Sequence, residues 1–242
     1  MGGTCAAKGA QPVKFDFSPE YIVTLLPSLM NGLWQTILLF AWTLIFSLPL
    51  GLPIALGSIS RFWPIRILCR IYVWLFRGTP LMLQLYFAFY YLGIIANDTG
   101  LTFLRMERFP TAVFTFALNY AAYFAEIYRA GIQSIDRGQY EAAKTLGFTR
   151  TRTMFRIIIP QTFRRIIPPI CNETITLVKD TALANVIAVA ELLKVAKDAA
   201  NRDTTPTAYF LAAACYLIVT FVLTMIYQRL EKRFSRHELE AV

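Results

Sequence analysis

Long runs of uncharged, apolar residues alternate with short basic stretches along this chain. A helix that crosses the hydrocarbon of a membrane needs about 20 mainly apolar residues. Leu29 to Leu56 meets that requirement without a single charged side chain, with Pro49 and Pro53 expected to kink its end. Arg61 to Arg77 follows, with Arg61, Arg66, Arg70 and Arg77 spread among aromatic and aliphatic residues. That pattern predicts an amphipathic helix lying at the membrane interface. Pro80 to Ile95 reads as a second span, rich in Tyr and Phe, and Phe109 to Ala130 as a third. Gly131 to Arg165 is polar and basic, and long enough for two short helices. Ile166 to Val189 is apolar at both ends but carries Glu173, Lys179 and Asp180. Ala208 to Tyr227 is an uninterrupted final span, and the charged tail begins at Gln228.

Charge decides how these segments are threaded. Basic residues concentrate in Arg61–Arg77, Arg137–Arg165 and Arg229–Arg236, and such loops lie on the cytoplasmic side. The three stretches share one side only if Ile166–Val189 also crosses. The chain therefore reads as an all-α integral membrane protein of about five spans, N-terminus outside and C-terminus cytoplasmic. In this reading residues 1–28 form an extracytoplasmic segment and 29–228 the transmembrane domain, with a cytoplasmic loop at 131–165 and a cytoplasmic tail at 229–242. Lys194, Lys197 and Arg202 lie in an outer segment and run against the charge rule.

Composition supports this picture. Hydrophobic residues make up 56% and charged residues 16% of 242, and mean hydropathy is +0.49. Soluble domains are typically about 45–50% apolar and about 25% charged. The net charge of +9 follows from basic membrane flanks and does not call for nucleic acid. Cys5, Cys69, Cys171 and Cys215 form no CxxC pair, and His237 stands alone in the tail, so no zinc site or disulfide framework is expected. The polar start, through Phe17, lacks a signal-peptide core. Its MGGTCA resembles a myristoylation signal but has Ala6 in place of Ser or Thr.

The middle loop reads Gly138-Gln-Tyr-Glu-Ala-Ala-Lys-Thr-Leu-Gly147 and runs on to Ile157-Ile-Ile-Pro160. Glu141 to Thr145 suits a short helix, which Gly147 would end in a left-handed conformation. A second helix is predicted from near Thr151 to Pro160. Together they would form a knob able to enter a groove on a partner, although a solvated loop has the same composition.

These residues carry a resemblance. Glu141-Ala142-Ala143, Gly147, Ile157 and Pro160 match the spacing of the EAA loop of ABC importer permeases, with Ile159 where that family usually has Leu. Arg77-Gly78-Thr79-Pro80-Leu81 resembles the RGTPL segment of the polar amino acid permeases. Ala122-Tyr123 with Glu126 and Arg129, Leu177-Val178-Lys179-Asp180-Thr181, and Ala190-Glu191-Leu192 resemble further segments of the same family. The resemblance runs from Gly32 to Arg233. It implies the type I importer fold, a bacterial cell-membrane location and a dimer with an identical or different second permease chain. It also implies docking on a cytoplasmic ATPase dimer that binds ATP and Mg²⁺, and an extracytoplasmic amino-acid-binding protein that delivers substrate. Glu141, Ala142, Ala143, Gly147 and Pro160 would form the coupling element.

Gly138 to Thr145 nearly spells GxxxxGK[ST], but Ala143 replaces the second glycine and its Cβ hinders a phosphate-wrapping backbone. No cofactor or metal is therefore assigned to this chain. Ionisable groups at membrane depth face protein or water. Glu126, Glu173, Lys179 and Asp180 thus mark a substrate pathway, with Asn119, Tyr120 and Tyr123 as neutral neighbours. Glu126 would take a substrate ammonium and Lys179 a carboxylate. A structural alternative pairs Lys179 and Asp180 with Glu173 or each other, and Glu126 with Arg129. Arg77 is assigned to lipid headgroups or a helix end. A secondary transporter or channel is the competing class, though no internal repeat or filter-like run appears. No nucleophile–base signature or His cluster points to a membrane enzyme.

Overall fold

The computed structural model describes residues 15–102 and 105–235, and no strand occurs among them. The start of the N-terminal segment with Cys5, and the tail from residue 236 with His237, lie outside the described residues.

Helix α1 runs over Pro19–Ser58, with Ser18 capping its start through the Tyr21 N–H. It thus takes in residues assigned to the extracytoplasmic segment. Pro27, Pro49 and Pro53 all lie inside it. Its buried face reads Leu25, Leu29, Gly32, Thr36, Leu39, Thr43, Ser47, Gly51, Ala55 and Ser58. Steps of three and four keep these residues on one side. Small side chains dominate because lipid supplies no hydrophobic force between helices, so association depends on close approach. A Cβ on Gly51 would lie 3.0 Å from Phe124 Cβ and 3.1 Å from the Ala121 carbonyl oxygen. There α1 meets α5 (Arg108–Gln133).

Helices α2 (Trp63–Gly78), α3 (Leu81–Tyr86) and α4 (Leu92–Thr99) come next, with a π turn, Phe87–Tyr91, joining the last two. The α2 helix and the Leu81–Thr99 unit are two arms bent by 102°. The basic helix and the span expected from Pro80 to Ile95 are therefore halves of one bent unit. Among the described residues, length and apolarity qualify two helices for crossing a membrane, α1 and α10 (Thr207–Ser235), and this bent pair makes a third if its two arms form one span. Helices α5 and α8 (Ile159–Asp180) fall outside that measure.

The middle loop departs from expectation. Helix α6 (Arg137–Thr145) is short, as predicted, but α7 (Arg150–Thr153) does not stop at Pro160. It passes through a π turn at Met154–Ile158 directly into α8. Pro160 occupies the first turn of α8, where the bonding ladder is already offset, so its missing N–H breaks little. After α8 the chain tightens into a 3₁₀ turn, Thr181–Ile187, and reverses at Ala188, whose φ is 58°. Helix α9 (Leu192–Asp203) then packs on α1 and α10. The buried Glu191 carboxylate caps it, accepting from the Leu193 and Lys194 N–H groups at 2.7 Å and from the Tyr216 hydroxyl at 3.0 Å.

Candidate functional site

The site grows from the break after α2. Gly78 and Pro80 flank Thr79, and a residue before proline is pushed out of the helical region. Thr79 accordingly sits at φ −113°, ψ 143°. The break leaves carbonyls at the end of α2 without helical partners. Gln84 and Asn119 supply them. The Phe76 carbonyl accepts from Gln84 Nε2 at 2.9 Å and from Asn119 Nδ2 at 3.0 Å, and Asn119 Nδ2 also donates to Gln84 Oε1 at 3.0 Å. Gln84 further donates to the Thr79 carbonyl and hydroxyl. Asn119, assigned to the pathway, thus spends its donors holding the bend open.

Beside this break lies a cavity of about 620 Å³, within the usual range of small-molecule sites. Arg77 and Pro80 line it from the bend, Asn119, Tyr120 and Tyr123 from α5, and Glu173, Thr176 and Asp180 from α8. Helical spacing explains the α8 set, because positions 173, 176 and 180 fall on one face. Tyr120, buried among Phe116 and Phe124, donates to Asp180 Oδ2 at 2.7 Å. Glu173 makes no hydrogen bond or ion pair among the described residues.

The Arg77 side chain, in the last turn of α2, lies over α5. Its guanidinium stands 5.2 Å over the Tyr123 ring centroid, and Nη1 lies 3.9 Å from Glu126 Oε1. Glu126 is gripped by Arg129 through two nitrogens, one of them at 2.9 Å, and Arg129 reaches on to Gln133 at 2.6 Å. Glu126 therefore backs the cavity without lining it, and the pairing with Arg129 is present. Lys179 is exposed, does not line the cavity, and forms no ion pair with Glu173 or Asp180 among the described residues. Neighbours on a helix point about 100° apart, so the side chain next to Asp180 is directed elsewhere.

The loop end is equally specific. Asp136 caps α6 by accepting the Gly138 N–H at 2.6 Å. The helix ends in a Schellman arrangement. Gly147 at φ 77° donates to the Lys144 carbonyl at 3.0 Å, and Phe148 to the Ala143 carbonyl at 3.0 Å. Of the two alanines, Ala142 is exposed and Ala143 is buried against the chain. The outward face carries Glu141, Lys144, Tyr140 and Leu146, the last 75% exposed. Leu146 escaped the sequence reading, although an apolar side chain just before the turn glycine was its signal. The Gly138–Thr145 stretch is helical rather than a loop after a strand, so it offers no wrap for phosphates.

Base contacts tie this element to the cavity walls. Arg165 of α8 donates to the Ser134 carbonyl at the end of α5 and to Ser134 Oγ at 3.2 Å. A Cβ on Gly131 would lie 2.2 Å from Ile166 Cγ2. Gln161 of α8 reaches Gln139 of α6 at 3.4 Å.

A helical membrane fold with a broken helix, a polar cavity and an exposed α6 defines a transport subunit. The chain belongs to the family of inner membrane components of binding-protein-dependent transport systems, which it matches over residues 47–236. It is 41% identical to the L-cystine transport system permease protein TcyB of Bacillus subtilis, over 87% of this chain and 88% of that one. It is 34% identical to the arginine transport system permease protein ArtQ of the same organism, over 93% of this chain and all of that one. Among solved structures, an amino acid ABC transporter crystallised with histidines superposes with a TM-score of 0.83 at 32% identity, covering 91% of this chain and all of that one. The MetNI methionine ABC transporter shares the fold at a TM-score of 0.71 and 16% identity, over 90% of this chain and all of that one. The chain has the type I importer permease fold, and its class is the ABC permease rather than the secondary transporter or channel. It is a non-catalytic subunit, with ATP hydrolysis in a separate chain.

Proposed function

We propose that this chain forms the membrane pathway of an ATP-driven importer for a polar amino acid. The observation that carries the reading is the cavity at the broken helix, lined by a guanidinium from the end of α2 and by two carboxylates from α8. An amino acid presents a carboxylate and an ammonium. Arg77 takes the carboxylate, for which its planar fork of donors is suited. Glu173 and Asp180 take the ammonium, and Tyr123 and Thr176 offer neutral contacts. These roles replace those first assigned to Lys179 and Glu126.

The α6 helix docks on a cytoplasmic ATPase that holds ATP and Mg²⁺, with Glu141, Ala142, Lys144 and Leu146 facing it. Closure of the ATPase dimer pushes α6, and the Gln161–Gln139 and Arg165–Ser134 contacts pass the displacement to α8 and α5. Those helices carry opposite walls of the cavity, so access switches between its two ends. A second permease chain, identical or not, completes the pathway, and an extracytoplasmic binding protein delivers the substrate. In the bacterial cell membrane the chain takes five spans. They are α1, the bent α2–α4 unit, α5, α8 and α10, with the N-terminus outside and the C-terminus cytoplasmic. That threading places Arg61–Arg77, Arg137–Arg165 and the basic end of α10 toward the cytoplasm.

The test is uptake in proteoliposomes containing the chain with its ATPase and binding protein, ATP inside. Wild-type uptake should require ATP, and Glu141→Arg should abolish it while the complex's melting temperature holds. Uptake driven by an ion gradient without ATP, and indifferent to Glu141, would refute the reading.

A further inference from the structure

We propose that the cavity selects substrates bearing two cationic nitrogens beside a carboxylate, and rejects acidic amino acids. The inference rests on the cavity being the substrate pathway.

The charge count on the walls is unequal. Arg77 is the one cation among the lining residues, against Glu173 and Asp180. No nearby group among the described residues corrects the difference. Lys179 is exposed and off the lining. Arg129 is committed to Glu126 and Gln133. Glu126 also lies 3.9 Å from Arg77 without lining the cavity, and its charge is already met by Arg129.

A zwitterion with a neutral side chain would place its carboxylate on Arg77 and its ammonium on one acid. The other acid would stay unpaired in a site walled by apolar helices, where a lone charge is costly. A side-chain carboxylate with no ammonium beside it would worsen this by repulsion. A second cationic nitrogen resolves it. The two acids are also not equivalent. Asp180 already accepts the Tyr120 hydroxyl at 2.7 Å, whereas Glu173 makes no hydrogen bond or ion pair among the described residues. Seven residues of helix separate them, roughly 10 Å of rise. That spacing suits cations at two ends of a ligand, as in a basic amino acid or a symmetrical diamino diacid. Glu173 is thus the specificity-determining residue, reading the second nitrogen.

The experiment is calorimetric titration of the purified permease–ATPase complex, without binding protein, with L-lysine, L-cystine, L-glutamine and L-glutamate. Lysine or cystine should bind more tightly than glutamine, and glutamate should give no heat. Lysine alone would mark a basic-amino-acid pathway, and cystine alone a diamino diacid pathway. Glu173→Gln should weaken the preferred ligand by roughly tenfold to a hundredfold, the worth of one charge-assisted hydrogen bond, and weaken glutamine less. The ligand-free melting temperature reports whether the variant folds. If it does not, Glu173→Asp and the wild-type ranking decide. Glutamate or glutamine binding as tightly as both diamino ligands overturns the proposal. So does a ranking that survives Glu173→Gln, or no binding of any ligand while uptake still needs ATP and Glu141. Loss of ATP-dependent uptake in wild type would instead refute the permease reading itself.

Discussion

Asn119 of α5 donates its side-chain amide to the Phe76 carbonyl at 3.0 Å, across the break that separates α2 from α3. This bond lets a membrane helix stop and turn without stranding backbone polar groups, which lipid cannot satisfy. It also fixes where Arg77, one residue beyond Phe76, enters the cavity.

Asn119→Leu should therefore strand the Phe76 carbonyl and loosen the bend. A lost buried partner costs about 1–3 kcal/mol, so the purified protein should melt earlier. Substrate affinity should fall as well, because Arg77 loses its seat. Leu217→Val, on the exposed side of α10, serves as control. A variant with wild-type melting and affinity would show that the clamp does not position Arg77.

The contact of α1 with α5 leaves no room at Gly51, where an added Cβ would press on the Phe124 Cβ and on backbone atoms of Ala121 and Ala125. Gly51→Val should force the helices apart, at about 1–3 kcal/mol for overpacking. Leu52→Val, on the exposed side of the same helix, should be neutral. Detergent-resistant yield and thermal melting of the two variants measure the difference.

Leu146 stands out from the end of α6 with most of its surface exposed. Leu146→Asp should leave the permease folded yet reduce co-purification of the ATPase and ATP-dependent uptake by about tenfold or more, as loss of an apolar interface anchor does. Unchanged co-purification would mean that the ATPase docks elsewhere.

Glu191 is buried and accepts two N–H groups at the start of α9 and the Tyr216 hydroxyl of α10. Glu191→Ala should strip the cap and orphan these donors, with a stability loss of about 1–3 kcal/mol. Glu191→Gln keeps an acceptor oxygen and should recover part of the loss. Thermal melting of both variants separates a packing role from a capping one.

Much of this was legible from the sequence because it depends on local chemistry. The uncharged run from Leu29 marked the body of α1. Gly147 ended α6 in a left-handed turn, as its missing Cβ allows. The three-residue spacing of Glu126 and Arg129 gave their ion pair. Neighbouring motifs named the family. Local rules failed where tertiary context overrode them. Pro160 did not end its helix, because a π turn had already shifted the ladder. Ala143 faced inward. Arg77 joined the cavity while Lys179 left it. Side-chain direction at a given depth depends on how α2, α5 and α8 rotate against one another, and that rotation is set by packing at Gly51, at Gly131 and at the Asn119 clamp. The sequence by itself determined that the chain is helical, lives in a membrane and carries charges there. Only the tertiary structure decided which charges meet, because convergence on one cavity is a property of helices packed together and not of any stretch of chain.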